Sequence, residues 1–266
     1  MRYAICSNDP AVTAESRDAG FDYVEVSVPS FVKPFEPEEA FAETVAAYRA
    51  GGLPIEAANL FLPRELRCTG PDAQPLDRLA EYAETVFRRL ASAGVPIVVF
   101  GSGGARRLPE GWPKERADEQ FGALLSRIGP LAERHGVRIA VEPLARVECN
   151  YINTVDEGAA LARASGSPAV GVLADCYHWA RNGEGAETIL AAKDRLIHAH
   201  LATMPSRKAP GMEPYDFGPF FRALAAAGYD GRVTIEGGLP PPEGRVDGLR
   251  RALEELRAAR AAAFGA

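Results

Sequence analysis

The chain has 266 residues, 47% of them hydrophobic, and 36 acidic side chains against 30 basic ones leave a net charge of −6. That balance, with a sequence pI near 5.4, excludes nucleic acid and anionic membranes as general partners, because both need basic surface. The opening MRYAICSNDP carries no signal-peptide core, no segment approaches ~20 apolar residues, and Cys6, Cys68, Cys149 and Cys176 form no CxxC pair, so a cytoplasmic protein with reduced thiols is expected.

Short β-type runs alternate with longer helical ones along the chain. Arg2–Ser7 is the first predicted strand, and a short helix follows Thr13. Asp22–Val28 alternates as a second strand, DYVEVSV. Pro37–Ala50 reads as a helix with proline and glutamates in its first turn and Gly51-Gly52 at its end. Ile55–Phe61 is a third strand, followed by a Pro/Arg-rich loop over Leu62–Gln74. Leu76–Ala93 is an amphipathic helix, with Leu79, Tyr82, Ala83, Val86, Leu90 and Ala93 at three- and four-residue spacing. Gly94 ends it, and Pro96–Phe100 is a fourth, fully buried strand.

The second half repeats the pattern. A Gly-rich loop, Gly101–Gly111, leads to a helix over Glu115–His135. Arg138–Val141 is the fifth strand, and Thr154–Ser165 a helix with Thr154 as N-cap. Val170–Ala174 is the sixth strand, with a helix near Gly185–Lys193. Ile197–Leu201 is the seventh, before a helix over Phe217–Ala227. Arg232–Ile235 is the eighth, and a last helix runs from about Val246 to Ala263. Eight strands, each followed by a helix, predict a (β/α)8 TIM barrel, a single domain over residues 1–266. A doubly wound open sheet has the same element count, but no GxGxxG follows the first strand. Gly101-Ser-Gly-Gly lacks the Lys-Ser/Thr ending of a P-loop and reads as a flexible turn.

In such a barrel the carboxyl ends of the strands converge on one face, where catalytic residues sit. Strand five ends at Glu142 in AVEPL, strand six at Asp175 in GVLADCYH and strand eight at Glu236 in VTIEGG, while strand seven carries His200 in IHAHLAT. Each has a plainer reading alone: a solvated glutamate, a helix-capping aspartate, a core histidine for His198 or His200. Together, three converging carboxylates would repel one another unless a cation lay between them. Three oxygens and one imidazole suit Mn²⁺, Mg²⁺ or Co²⁺ better than a structural Zn²⁺. One divalent metal ion held by Glu142, Asp175, His200 and Glu236 is therefore expected.

The runs EPLARVECNYINT, DCYH, HAHLATMPSRKAPG and GYDGRVTIEGG resemble the xylose-isomerase-like TIM-barrel superfamily, and within it most closely the ketose 3-epimerases that act on tagatose and psicose. Hydroxypyruvate isomerases and inosose dehydratases are near relatives. The resemblance is best from Arg138 to Gly238 and implies the same four metal ligands. It also implies substrate contacts from Glu148, His178 and Arg207. Two departures touch the substrate side only. Ala145-Arg146 stands where the family often has Asn-Arg, and the stretch from His200 to Arg207 looks one residue longer.

The chemistry implied is proton transfer at a carbon beside a carbonyl, through an enediolate, with Glu142 and Glu236 as the acid/base pair. Return of the proton on the opposite face is epimerisation, and return at the next carbon is aldose–ketose isomerisation. Trp112, in the EGWP loop, is a further candidate to cover the pocket, and Arg106-Arg107 raise the option of a phosphorylated sugar. A dehydratase starting from the same proton abstraction is the nearest alternative. A phosphodiesterase of the endonuclease IV branch would need more histidines than the four present, and a non-catalytic sugar-binding barrel would be expected to lack a ligand. The partners expected are a small sugar and, at most, further copies of the same chain.

Overall fold

The computed structural model describes residues 1–265. Eight parallel strands are ordered as in the sequence: β1 (Arg2–Cys6), β2 (Tyr23–Ser27), β3 (Ile55–Asn59), β4 (Ile97–Phe100), β5 (Arg138–Val141), β6 (Val170–Asp175), β7 (Leu196–Leu201) and β8 (Arg232–Ile235). β1 pairs with β8 from Arg2↔Arg232 to Ile5↔Ile235, which closes the ring. An open sheet is thereby excluded. The helices are α1 (Pro10–Ala19), α2 (Glu38–Ala50), α3 (Leu76–Ala93), α4 (Gly103–Arg106), α5 (Lys114–Arg134), α6 (Val155–Ala164), α7 (Cys176–Asn182), α8 (Ala186–Ala191), α9 (Gly218–Ala226) and α10 (Arg245–Phe264). None of the described helices is long and apolar enough to cross a membrane.

Most boundaries follow from local chemistry. Thr154 begins α6 in a capping box with Glu157, each bonding the other's backbone N–H. α3 buries Leu79, Ala83, Val86 and Leu90 along one stripe against the outside of the barrel. Three segments depart from expectation. α1 starts at Pro10 rather than after Thr13, because the Asp9 carboxylate accepts from the Ala11 N–H at 2.9 Å. β3 stops at Asn59, since Leu60 takes a left-handed φ of 55°. The expected helix over Gly185–Lys193 shrinks to α8, and the seven-residue α7 precedes it.

The strands position the site by parity. Side chains two residues apart share a face of a strand. Ala57, Val99, Ala140 and Leu173 belong with Ile97 and Ile197 to a small apolar cluster inside the ring. Two residues further along the same faces stand Asn59, Gly101, Glu142 and Asp175. The candidate site thus rests directly on a packed apolar plug. In β7 the pairing skips a residue, with Leu196 opposite Val172 but His198 opposite Leu173, and Ile197 fits beside Gly171.

One half-buried carboxyl offers a test of the fold's electrostatics. Glu184, between α7 and α8, accepts from the Val155 N–H at 2.8 Å, and burial pushes its pKa up from 4.5 to about 7. A carboxyl with a raised folded pKa binds its proton more tightly when folded, so stability is lost as pH rises from the unfolded value through the folded one. Glu184→Gln keeps the acceptor without the charge. Thermal melts at pH 8 are expected to show the variant more stable by about 2 kcal/mol, allowing for partial exposure. The gap should close as pH falls towards 4.5. Identical melting at pH 8 would mean that the charge carries no penalty.

Candidate active site

Glu142 follows the last residue of β5, and Pro143 behind it cannot continue the strand. Its carboxylate is buried, and Oε1 lies 3.4 Å from His200 Nδ1 with no hydrogen-bond partner. Asp175, the last residue of β6, divides its two oxygens. Oδ1 accepts from the N–H groups of Tyr177 and His178 at 2.6 and 3.1 Å and caps α7, while Oδ2 is unpartnered, 3.9 Å from His200 Nδ1. The capping and ligand readings of this residue are both satisfied, one on each oxygen. Glu236, just past β8, places Oε2 at 3.7 Å from the same Nδ1. One ligand-type atom from each of Glu142, Asp175, His200 and Glu236 lies within 4.8 Å of the others.

Side chains that sequence reasoning passed over hold these four in place. Glu25 of β2 reaches across the barrel interior to His198 and His200, at 2.8 and 2.9 Å. Asn59 of β3 donates to Glu236 Oε1 at 3.1 Å. Gly101 follows β4 where a Cβ would fall 2.1 Å from Glu142 Oε2, so the glycine is the space that the carboxylate occupies. Gly237 plays a similar part for the loop after β7, since a Cβ there would meet the Arg207 carbonyl at 2.7 Å.

Above them opens a cavity of about 570 Å³, whose lining includes Leu60, Glu142, Leu144, Glu148, Arg207 and Glu236. Arg207 spans it, with Nη1 3.3 Å from Glu148 Oε1, Nη2 bonded to Glu236 Oε2, and its guanidinium 4.9 Å from the centre of the Tyr177 ring. His178 is buried at the edge. Its Nδ1 accepts from the Ala145 N–H at 3.1 Å, so a neutral ring carries its hydrogen on Nε2, 3.4 Å from Arg207 Nη2. Both of those nitrogens are donors, and an acceptor oxygen between them would satisfy each. Ala145 takes part through its backbone N–H alone.

Two sequence expectations are corrected. Trp112 does not reach the cavity. Asn150 holds both backbone groups of Leu108 at 2.9 and 3.0 Å, the Trp112 backbone N–H donates to the Pro109 carbonyl at 3.1 Å, and the indole packs on the outer core instead. Arg106 and Arg107 are not a solvated pair facing a phosphate. Arg106 is fully buried and donates to the Glu142 carbonyl at 2.5 Å, while Arg107 bonds the Glu148 carbonyl.

A family model described as a xylose isomerase-like TIM barrel matches residues 13–259. The chain belongs to this family. It is 37% identical over 103 residues to a probable ketose 3-epimerase of Synechocystis sp., covering 38% of this chain and 35% of that protein. It is 27% identical to an L-ribulose 3-epimerase of Methylomonas sp., over 82% of this chain and 74% of that one. The first match thus spans only about a third of its relative's length. The structure of a D-psicose 3-epimerase with D-tagatose from Clostridium cellulolyticum superposes with a TM-score of 0.83 at 20% identity, covering 98% of this chain and 99% of that one.

Within this xylose isomerase-like barrel the polar atoms left without partners decide whether a cation fits. Glu142 Oε1, Asp175 Oδ2 and His200 Nδ1 are all buried and unbonded, and all face one point. Buried polar atoms rarely lack partners, and a divalent cation would satisfy the three at once. The electrostatics agree. Burial, then the charge of Glu236, raises the pKa of Glu142. Burial also acts to raise Glu236, but the His200 charge and Arg207 outweigh it and hold that pKa at about 2. Burial opposes a charge on His200, yet Glu25 and Glu236 drive its pKa well above the usual histidine range. The site asks for positive charge between its carboxylates, and burial and neighbouring charges set its two glutamates apart in acidity. The other cluster has three residues, Glu25, His198 and His200, and there both oxygens of the single carboxylate are already engaged by the two rings. Among the described residues, the cluster of Glu142, Asp175, His200 and Glu236 is the better candidate for a cation.

Proposed function

We propose that the protein is a divalent-metal-dependent ketose epimerase that removes and returns the proton at the carbon beside a carbonyl. The observation that carries this reading is the convergence of three unpartnered ligand atoms at the floor of a cavity flanked by Glu142 and Glu236. Glu142, Asp175, His200 and Glu236 would hold one Mn²⁺, Mg²⁺ or Co²⁺ ion. When bound, the cation supplies Lewis acidity to the carbonyl and an adjacent hydroxyl. Glu142 and Glu236 stand on strands five and eight, so they approach the carbon from opposite sides of the mouth. One takes the proton to give an enediolate and the other returns it, inverting the centre. Arg207 and the His178 Nε2–H hold substrate oxygens, and Glu148 orients a hydroxyl and sets Arg207.

The substrate class follows from charge. Among the described residues lining the cavity, Glu142, Glu148 and Glu236 are acidic and Arg207 alone is basic, and its guanidinium is engaged by Glu148 and Glu236. A phosphate would meet no free basic side chain there and three carboxylates instead, which supports an uncharged sugar. The names borne by the relatives, ketose and L-ribulose 3-epimerases, point the same way. Four free cysteines fit a cytoplasmic enzyme.

Incubation with Mn²⁺ and a panel of free ketoses in heavy water tests the reading. Deuterium is expected at the carbon next to the carbonyl of one ketose, with its epimer accumulating and one metal bound per chain. An aldose product would reassign the reaction to isomerisation, and loss of water to dehydration. No deuterium in any sugar would overturn the proposal.

A further inference from the structure

The geometry points to Glu25 as the residue that decides which nitrogen of His200 faces the cation. This rests on the reading of the centre as a cation site, and it concerns a buried residue that does not line the substrate cavity but sits behind His200. Glu25 lies on β2 with no exposed surface, an acid among the apolar residues of its strand. An isolated ionised carboxylate in that position would be costly, and it is retained only with full hydrogen bonding. Its Oε1 accepts from His200 Nε2 at 2.9 Å. Its Oε2 accepts from His198 Nε2 and from Thr234 Oγ1, both at 2.8 Å. Thr234 in turn meets the Tyr23 hydroxyl at 3.0 Å, and because the threonine hydrogen is committed to Glu25, Tyr23 is the donor. Every neighbour of the carboxylate is therefore a donor.

Two forces compete for the His200 tautomer. Glu142, Asp175 and Glu236 carboxylate oxygens stand 3.4, 3.9 and 3.7 Å from Nδ1, and by themselves they would favour a hydrogen there. An imidazole with its hydrogen on Nδ1 has no lone pair to give a metal at that atom. Glu25 opposes them. It accepts only from Nε2–H, so it keeps a hydrogen on Nε2, and Nδ1 is the nitrogen left for a cation to take. His198 and Thr234 fix the plane of Glu25 from its other oxygen. Glu25 is thus a positioning residue acting through His200, and carboxylates so placed commonly contribute 10–100-fold in metal affinity.

Calorimetric titration of metal-free protein with Mn²⁺ tests this in two backgrounds. Glu25→Gln presents an amide that can donate as well as accept, so it no longer dictates the tautomer. The variant is expected to bind Mn²⁺ roughly 10–100-fold more weakly than the wild type. In a His200→Ala background the same substitution should change nothing further, because Glu25 acts only through that ring. A loss of equal size in both backgrounds would overturn the inference in favour of a general distortion of the barrel. Wild-type affinity in Glu25→Gln would overturn it outright. No Mn²⁺ binding by the wild type would instead overturn the cation-site reading beneath it. Should Glu25→Gln fail to fold, Thr234→Val strips one hydrogen bond from the carboxylate and should weaken Mn²⁺ about fivefold, with unchanged affinity counting against the role.

Discussion

Glu142→Gln is expected to lower turnover of the ketose substrate by about a thousandfold or more while leaving the barrel folded. A positioned general base contributes ~10²–10⁴-fold, and glutamine cannot take a proton at neutral pH. The substitution is close to isosteric, and the amide oxygen can still meet a cation, so loss of chemistry and loss of metal are separable. The plug of Ala140 and its neighbours beneath the site is untouched, and Gly101 leaves the side chain the same room. The comparison is of initial rates, solvent-deuterium incorporation and metal content, with Glu236→Gln alongside. If the two glutamates work from opposite faces, each single variant should stop net inversion. The variant retaining the base for a given epimer should still wash deuterium into that epimer alone. A loss of less than tenfold in Glu142→Gln, with metal retained, would remove Glu142 from proton transfer and leave it a ligand.

The parts of this site legible in the sequence share one feature: they interrupt an apolar run at its end. Glu142 before proline, Asp175 after VGVLA and Glu236 before Gly-Gly each mark where a strand stops, and strand ends of a barrel share a face. Glu25 was hidden because it lies inside its strand. DYVEVSV alternates as a half-exposed strand would, with the acid on the side expected to meet water. In the closed ring that side is the barrel interior, so the residue that looked most solvated is among the most buried. Closure brings together residues 173 and 175 positions apart, which no local spacing encodes. α7 escaped for a different reason: it has only seven residues, and its capping residue is also a candidate ligand. Arg106 shows the reverse error. Paired arginines in a glycine loop raise the option of a phosphate ligand, yet the first of them is buried and bonded to the Glu142 carbonyl.

Gly101→Ala should cost about a hundredfold in rate without costing stability, and it tests the site through a residue with no chemistry of its own. The backbone of Gly101 is not left-handed, so alanine can adopt it. The conflict is confined to one neighbour: the new Cβ would lie 2.1 Å from Glu142 Oε2 and 3.2 Å from its Cδ, with Leu144 next at 3.7 Å. The carboxylate must swing aside by more than an ångström, and displacements of ~1 Å at a reacting group commonly cost ~10²-fold. Because the carboxylate is also a candidate ligand, Mn²⁺ affinity should fall with the rate. Gly122→Ala is the control. It lies in α5 with nothing within 4 Å of its Cβ, so it should raise stability by up to about 1 kcal/mol and leave the rate alone. Rates, Mn²⁺ titrations and melts on the two variants separate a glycine kept for backbone freedom from one kept as space for a carboxylate. Full activity in Gly101→Ala would mean that Glu142 works from another rotamer, and that the floor of the cavity is less fixed than its packing implies.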